Sequence, residues 1–303
     1  MSQRRLSTLV NGWPLFWLLA LPMTVFMVTG MQRFDLSTPE GVSQMIQYSV
    51  RWAVPFIYLV VASSAMPVLY PSALTRWWSR NRRYIGLVFA VAMAWQGAFI
   101  FIMSNLHSGY YHDEVYLLRD ELEGSSGYLF LAAMVFTSFR FGRRLVTSAQ
   151  WKVLHRSGVY FLWAYPFSVY WWNLNYYGNP APIDYLFYWA GLLAFASRIA
   201  AWGKRRDAKR QAATGAAIPP TGRLLGGVFI GVGLLASATG GVWRETVSGA
   251  LLAPKFSATL ELWLPFWPFE PFLPLFAIGI GTWLVTGGLG ADETGRQSAA
   301  SGA

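Results

Sequence analysis

The chain has 303 residues, of which 54% are hydrophobic, 17% aromatic and only 13% charged. This composition is too apolar for a soluble domain of the same length and places the protein in a lipid bilayer. Because the chain contains no cysteine, disulfides, cysteine-held iron–sulfur clusters, thioether-linked haem and thiol catalysis are excluded.

Windows of about 20 residues predict eight membrane-spanning helices, and therefore an all-α integral membrane protein. The predicted spans are residues 12–31, 48–70, 84–104, 124–141, 153–172, 183–202, 223–243 and 266–287. The N-terminus has the charged flank and apolar core of a secretory signal, but no small-residue cleavage site follows, so we interpret it as an uncleaved first span. The pair Arg4 and Arg5 is also compatible with a twin-arginine signal.

Five segments follow from these spans. They are a first transmembrane helix (residues 1–31), a transmembrane core (48–202), a basic cytoplasmic linker (203–222), two C-terminal transmembrane helices (223–287) and a small, polar tail (288–303) that we expect to be disordered. The core and its preceding helix make six spans, and the C-terminal pair completes the eight.

The basic residues predict the orientation of the helices. When the spans alternate across the membrane, 19 of the 24 Lys and Arg fall on one side, and basic residues stay in the cytoplasm. We therefore expect both termini inside, in a bacterial inner membrane. The net charge of +10 is spread over short loops, which indicates contact with anionic membrane lipids and argues against nucleic acid as a partner.

One stretch mimics a nucleotide-binding motif. The segment "GVGLLA", Gly231–Ala236, has the glycine spacing of part of a dinucleotide fingerprint, but it lies within a hydrophobic helix with no strand before it. Close helix packing explains it better, as it does the pair Gly227 and Gly231. We expect no direct binding of NAD(P) or flavin, so any electrons would come from a separate partner protein.

Three successive segments carry a family resemblance. They are "RRYIGLVFAVAMAWQG" (82–97), "GYLFLAAMVFTSFRFGRR" (127–144) and "WKVLHRSGVYFLW" (151–163). In order and spacing they resemble helices of the ferric reductase-like transmembrane family, which includes ferric reductases, NADPH oxidases and the haem-binding membrane subunit of the periplasmic methionine sulfoxide reductase system. The resemblance covers about a third of the chain. It implies a six-helix ferric reductase-like core and an oxidoreductase component that transfers electrons across the membrane through haem b.

The resemblance also implies where haem would bind. His155 matches the histidine of the family's Leu-His-Arg entry, but the next ligand position holds Ser168 and the one on the earlier helix holds Gln96. Two of the three motif ligands are therefore absent. His155 is the candidate cofactor-binding residue, as a single-histidine ligand of haem. Met93 or Tyr165, each about one turn from a lost position, is an alternative ligand, and a hydrogen-bonded interfacial histidine is the structural alternative.

Other ionisable residues suggest further sites. His107 and His112 lie beside a run of outer carboxylates, which is compatible with a transition metal but is better interpreted as a solvated acidic loop. Glu270 is a candidate for proton relay or quinone contact, although the prolines around Glu261 and Glu270 favour an irregular segment near water. Tryptophans at span ends, among them Trp151, Trp171, Trp172, Trp263 and Trp267, are interpreted as interfacial anchors.

Two functional hypotheses follow. The first is a redox protein that passes electrons through haem b, with a separate electron donor. The second is a haem-free accessory or assembly subunit of a membrane complex, built on the same helical scaffold. No residue pattern indicates a hydrolase, a transferase or a resident metal ion, and no catalytic residue is assigned.

Overall fold

The computed structural model describes residues 10–214 and 217–288. The protein is 84% helical, and the described part contains no strand, which confirms the all-α prediction. The predicted tail, residues 288–303, lies outside the described residues except for Gly288, as do residues 215 and 216 of the predicted linker.

Thirteen α-helices are present in the described part of the chain. In order they are α1 (Gly12–Arg33), α2 (Pro39–Ala62), α3 (Met66–Leu69), α4 (Ala73–Leu106), α5 (Ser108–Tyr110), α6 (Leu118–Thr137), α7 (Arg140–Arg143), α8 (Ser148–Tyr176), α9 (Pro182–Thr214), α10 (Pro220–Ala238), α11 (Gly240–Leu252), α12 (Ser257–Trp263) and α13 (Leu273–Val285). A π-helical turn, Tyr111–Val115, follows α5, and a 3₁₀ turn, Glu270–Phe272, precedes α13.

Four of these helices are long and apolar enough to cross a membrane: α1, α2, α4 and α10. The other four predicted spans coincide with parts of α6, α8, α9 and α13, and their crossing of the membrane stays a prediction. The second predicted span, 48–70, is displaced from α2, because that helix begins at Pro39 and ends before Ser63, whose hydroxyl donates back to the Val60 carbonyl at 2.7 Å.

Local sequence explains where two of the helices begin. Thr38 precedes α2, and its hydroxyl accepts a hydrogen bond from the Gly41 amide at 3.1 Å, with Pro39 at the first helical position. Asp184 also stabilises a helix start, that of α9, because its carboxylate accepts a hydrogen bond from the Ala181 amide at 2.8 Å. Both pairings satisfy backbone N–H groups that have no partner inside the helix.

The chain divides into two compact units. The first comprises the described part of Met1–Ser63 together with Trp77–Pro166 and Glu261–Pro265, and the second comprises Ser64–Arg76, Phe167–Leu260 and the described part of Phe266–Ala303. The division between a six-span core and two C-terminal spans stays a prediction.

The first unit has an apolar core between α2 and α4. Val42 and Met45 of α2 pack with Phe99 and Met103 of α4, all almost completely buried. The start of α1 is fixed by Asn81 of α4, whose side-chain oxygen accepts from the Gly12 amide at 3.0 Å. This polar contact holds the first helix at one end of α4.

The second unit contains a close helix pair, α10 with α13. A Cβ atom added at Gly226 would lie 2.7 Å from the Gly281 carbonyl, and one added at Gly233 would lie 2.6 Å from the Pro274 carbonyl. Because these backbones nearly touch, only glycine fits at Gly226 and Gly233. Gly227 and Gly231 face open space in this chain. The helix packing expected for the segment Gly231–Ala236 is therefore present at Gly233, whereas the second close approach is made by Gly226 and not by the predicted pair.

Candidate functional site

The candidate haem ligand, His155, is partly buried and bonded to a threonine of the preceding long helix. Its Nε2 lies 3.0 Å from the hydroxyl oxygen of Thr137, the last residue of α6. Thr137 is itself buried, and its hydroxyl is 2.7 Å from the carbonyl oxygen of Ala133. The histidine therefore has a hydrogen-bonding partner within the first unit.

The hydrogen of the Thr137 hydroxyl has two acceptors within reach. A threonine hydroxyl has a single hydrogen, which can be donated either to the Ala133 carbonyl at 2.7 Å or to His155 Nε2 at 3.0 Å. In the first case Nε2–H donates to the threonine oxygen, and in the second Nε2 accepts. In both cases Nε2 is engaged by Thr137 and is not free to bind an iron. Haem ligation by His155 stays a prediction, and ligation through Nε2 requires this bond to break.

Aromatic and basic side chains surround the same histidine. The Trp151 ring stacks on the imidazole with 4.2 Å between the ring centroids, and its indole N–H donates to the Thr137 carbonyl at 3.3 Å. The Arg143 guanidinium lies 5.5 Å from the Trp151 ring centroid. We call His155, Thr137 and Trp151 the inner cluster, because it joins the predicted cytoplasmic ends of α6 and α8.

The two absent ligand positions have different surroundings. Gln96, in the first unit, accepts a hydrogen bond from the Tyr128 hydroxyl at 3.3 Å, and the same hydroxyl lies 3.2 Å from the Met93 carbonyl. Ser168 belongs to the second unit, where it is completely buried and its hydroxyl has no partner among the described residues. Gln96 is thus part of a helix-to-helix contact, while the buried Ser168 hydroxyl has no structural explanation.

The two histidines on the predicted outer side, His107 and His112, have different contacts. His107 Nε2 lies 3.3 Å from the Leu36 carbonyl, and the His112 ring packs against Tyr111 and Tyr116. Tyr111, in the same π-helical turn as His112, donates its hydroxyl hydrogen to Glu121 of α6 at 2.6 Å, and this bond, aided by burial, raises the pKa of Tyr111 to about 12. No group of three His, Cys, Asp or Glu suited to a metal ion occurs among the described residues.

Glu261 and Glu270, both expected near water, differ in their exposure. Glu261 is half-exposed and pairs with Arg119 at 3.0 Å, and Arg119 also reaches Glu123 at 3.3 Å. Glu270, in contrast, is only 2% exposed. The interpretation of Glu270 as a residue near water is wrong, because the turn that carries it is packed inside the second unit. The interpretation of Trp171 as an interfacial anchor is also wrong, since its side chain is completely buried.

Glu270 lies in a cluster with two other residues of the second unit. The Tyr176 hydroxyl is 2.9 Å from one oxygen of the Glu270 carboxylate and 3.1 Å from the other. The Arg244 guanidinium lies 3.9 Å from the centroid of the Tyr176 ring. We call Glu270, Tyr176 and Arg244 the outer cluster, because all three fall on the predicted outer side of the membrane.

Comparison with known proteins gave no relative for this chain. No protein-family model matches it, and neither a curated protein nor a solved structure does. The functional argument therefore depends on the two clusters themselves.

Sequence reasoning identified His155 and Glu270 but not their partners. Thr137 was noted only as part of a family-like segment, and nothing in the sequence pairs it with a histidine 18 residues later. Tyr176 and Arg244 are separated by 68 positions, and no sequence motif connects them. The available signal was a weak one, namely that a tyrosine and an arginine stand at predicted outer span ends, on the same side as Glu270.

Proposed function

We propose that the protein is a haem-free integral membrane protein that acts as an accessory or assembly subunit of a membrane complex. The observation that carries the proposal is the hydrogen bond between His155 Nε2 and the Thr137 hydroxyl. A bond of this kind gives the histidine a structural role between two helices. With Gln96 and Ser168 at the other two ligand positions, no histidine remains there to bind haem.

The proposed topology has eight spans with both termini in the cytoplasm of a bacterial inner membrane. Its support is the 19 to 5 division of basic residues and the four long apolar helices. A reporter fused to the C-terminus that is active only in the periplasm should give no signal. Signal from that fusion would overturn the proposed orientation.

The redox alternative is a haem b electron-transfer subunit with a separate donor, as the family resemblance implies. If His155 binds iron through Nε2, it must first release Thr137. One measurement separates the two functions. We expect the protein purified from membranes with an ample haem supply to show no Soret band, like His155→Ala, its matched control. A Soret band in the native protein would exclude the haem-free role, and its loss in His155→Ala would identify His155 as the ligand.

The accessory role has its own test. In native membranes the chain should migrate in native gels with a complex larger than its own 34.0 kDa, and deletion of the protein should lower the amount of that complex. Migration at the mass of the chain alone, with no change in other membrane complexes on deletion, would contradict the accessory role whatever the outcome of the haem measurement.

A further inference from the structure

Three carboxylates are buried among the described residues: Glu123, Asp184 and Glu270. Burial in an apolar environment strongly disfavours a carboxylate charge unless a cation or several N–H donors compensate for it. The three residues differ in this compensation, which makes them a natural comparison set.

Two of the three carboxylates, Glu123 and Asp184, have N–H donors that compensate for a buried negative charge. Glu123 forms an ion pair with Arg119 at 3.3 Å. Asp184 accepts one hydrogen bond from the Ala181 amide at 2.8 Å and another from the Asn173 side chain at 3.0 Å. Each of these two carboxylates therefore has at least one N–H donor beside it.

Glu270 is the most buried of the three and the least compensated. Its partner among the described residues is a neutral hydroxyl, that of Tyr176, and it forms no ion pair there. The nearest cation, Arg244, is instead stacked on the Tyr176 ring and bonded to Glu245 at 3.2 Å. A carboxylic acid with these surroundings can lose or gain its proton without breaking an ion pair.

The charged and titratable groups that face Glu270 are few. Tyr176 ends α8, and Arg244 lies on α11 beside Glu245, whose side chain is 81% exposed and turned to Arg244. Helix α13, which follows directly, carries no titratable residue. After its burial, the main influences on the charge of Glu270 are therefore Tyr176 and Arg244.

Tyr176 connects this buried acid with the surface. Its side chain is 46% exposed, while its hydroxyl contacts both Glu270 oxygens. From these contacts we infer that Glu270 is a proton-binding site of the protein, and that Tyr176 is the group through which it exchanges protons with the outer aqueous side. This inference is independent of the proposed haem-free role, because it concerns different residues.

The exchange leaves tyrosine unchanged. When Glu270 takes up a proton, the hydrogen of the Tyr176 hydroxyl moves to the carboxylate oxygen while the phenol oxygen receives a hydrogen from hydronium. The overall change is that carboxylate and hydronium become carboxylic acid and water. Tyr176 is neutral before and after, so no oxidant, reductant or second acid is required. Arg244 is a positioning residue that holds the tyrosine ring by its stacking contact.

The test is infrared difference spectroscopy of the full-length protein in lipid bilayers during acidification. We expect a C=O stretching band of a protonated carboxylic acid that is present in the native protein and lost in Glu270→Gln. The matched controls Glu123→Gln and Asp184→Asn should both retain it. A band that survives Glu270→Gln, or the absence of any such band, would overturn the proposed site.

Isotope labelling tests the assignment of the band in the native protein, so the result does not depend on whether a variant folds. In the native protein, ¹³C-labelled glutamate should shift the band and ¹³C-labelled aspartate should not. Glu270→Asp should move the band while keeping an acid at the site.

The role of Tyr176 in proton exchange has a separate test. Tyr176→Phe should slow exchange of the carboxyl hydrogen with deuterated water several-fold, without loss of the band. An unchanged exchange rate in Tyr176→Phe would exclude Tyr176 as the connection.

Discussion

The α10–α13 pair and the inner cluster hold helices together in opposite ways. In the pair, glycine allows two backbones to approach until a single added carbon would lie 2.6 Å from a carbonyl oxygen. In the inner cluster, α6 and α8 are joined by side chains, through the Thr137–His155 bond at 3.0 Å and the Trp151 ring. Contact between backbones leaves no room for any larger residue, whereas contact between side chains tolerates a change of shape but not the loss of a polar atom.

The largest effect is expected from Gly226→Ala. The added carbon would lie 2.5 Å from a Val285 methyl group and 2.9 Å from the Val285 amide nitrogen, so the backbones must separate, at a cost of about 1–3 kcal/mol in the free energy of unfolding. The control is the neighbour on the open face, Gly227→Ala, which should be neutral or stabilising by up to about 1 kcal/mol through helix propensity. Unfolding in mixed detergent micelles, followed by circular dichroism, measures both, and equal effects would contradict the packing.

A second substitution tests the same close approach between α10 and α13. The Gly281 Cβ position lies 2.6 Å from the Gly226 carbonyl, so both glycines serve a single close approach. The double variant Gly226→Ala with Gly281→Ala should lose less stability than the sum of the single variants, with a coupling of about 0.5–3 kcal/mol. Strict additivity in the micelle unfolding assay would show that the two positions act separately.

The Thr137–His155 contact should be weakened more by loss of the hydroxyl group than by a change in side-chain size. Thr137→Val keeps the shape but removes the hydroxyl that is hydrogen-bonded to His155, which should cost about 1–2 kcal/mol. Thr137→Ser retains the hydroxyl and should recover most of that loss. The same unfolding assay tests both, and a serine variant as unstable as the valine variant would mean that the methyl group, not the hydrogen bond, holds the two helices.

The smallest effect is expected at Glu261. Its side chain is 46% exposed where it meets Arg119, and an ion pair this open to water contributes at most about 1 kcal/mol. Glu261→Gln should therefore leave the free energy of unfolding nearly unchanged. The small effect should be larger in low salt than in high salt, because salt screens the ion pair. Glu123→Gln, which alters the buried partner of the same arginine, serves as the contrast and should cost more.

The helices of this protein were more predictable than its contacts. The first span was predicted at residues 12–31 and α1 runs from Gly12 to Arg33, because a long apolar run between polar ends has few other solutions. The sequence also marked α10 as a helix with close packing. It did not reveal that Gly226 rather than Gly227 makes the approach, since neighbouring residues on a helix differ in direction by about 100°.

The candidate sites were predictable only as single residues. His155 and Glu270 stand out because ionisable groups are rare in apolar segments. Their partners come from other helices, and the 18-residue separation of Thr137 from His155 has no periodic signature. Glu270 was expected near water because four prolines surround it, but prolines prevent regular hydrogen bonding without deciding whether a turn lies at the surface or inside.

Helix α9 has a consequence for the bilayer in which the protein works. Asp184, near its start, and Arg198 are separated by about 21 Å at 1.5 Å per residue. Lys204, whose ammonium group bonds the Val68 carbonyl at 2.8 Å, lies about 9 Å further along. In the proposed topology the uncharged part of α9 is therefore shorter than the roughly 30 Å hydrocarbon thickness of an average bilayer, and Arg198, which bonds the Ser64 hydroxyl, falls within that thickness. Longer lipid chains are thus expected to place Arg198 deeper among acyl chains or to change the tilt of α9.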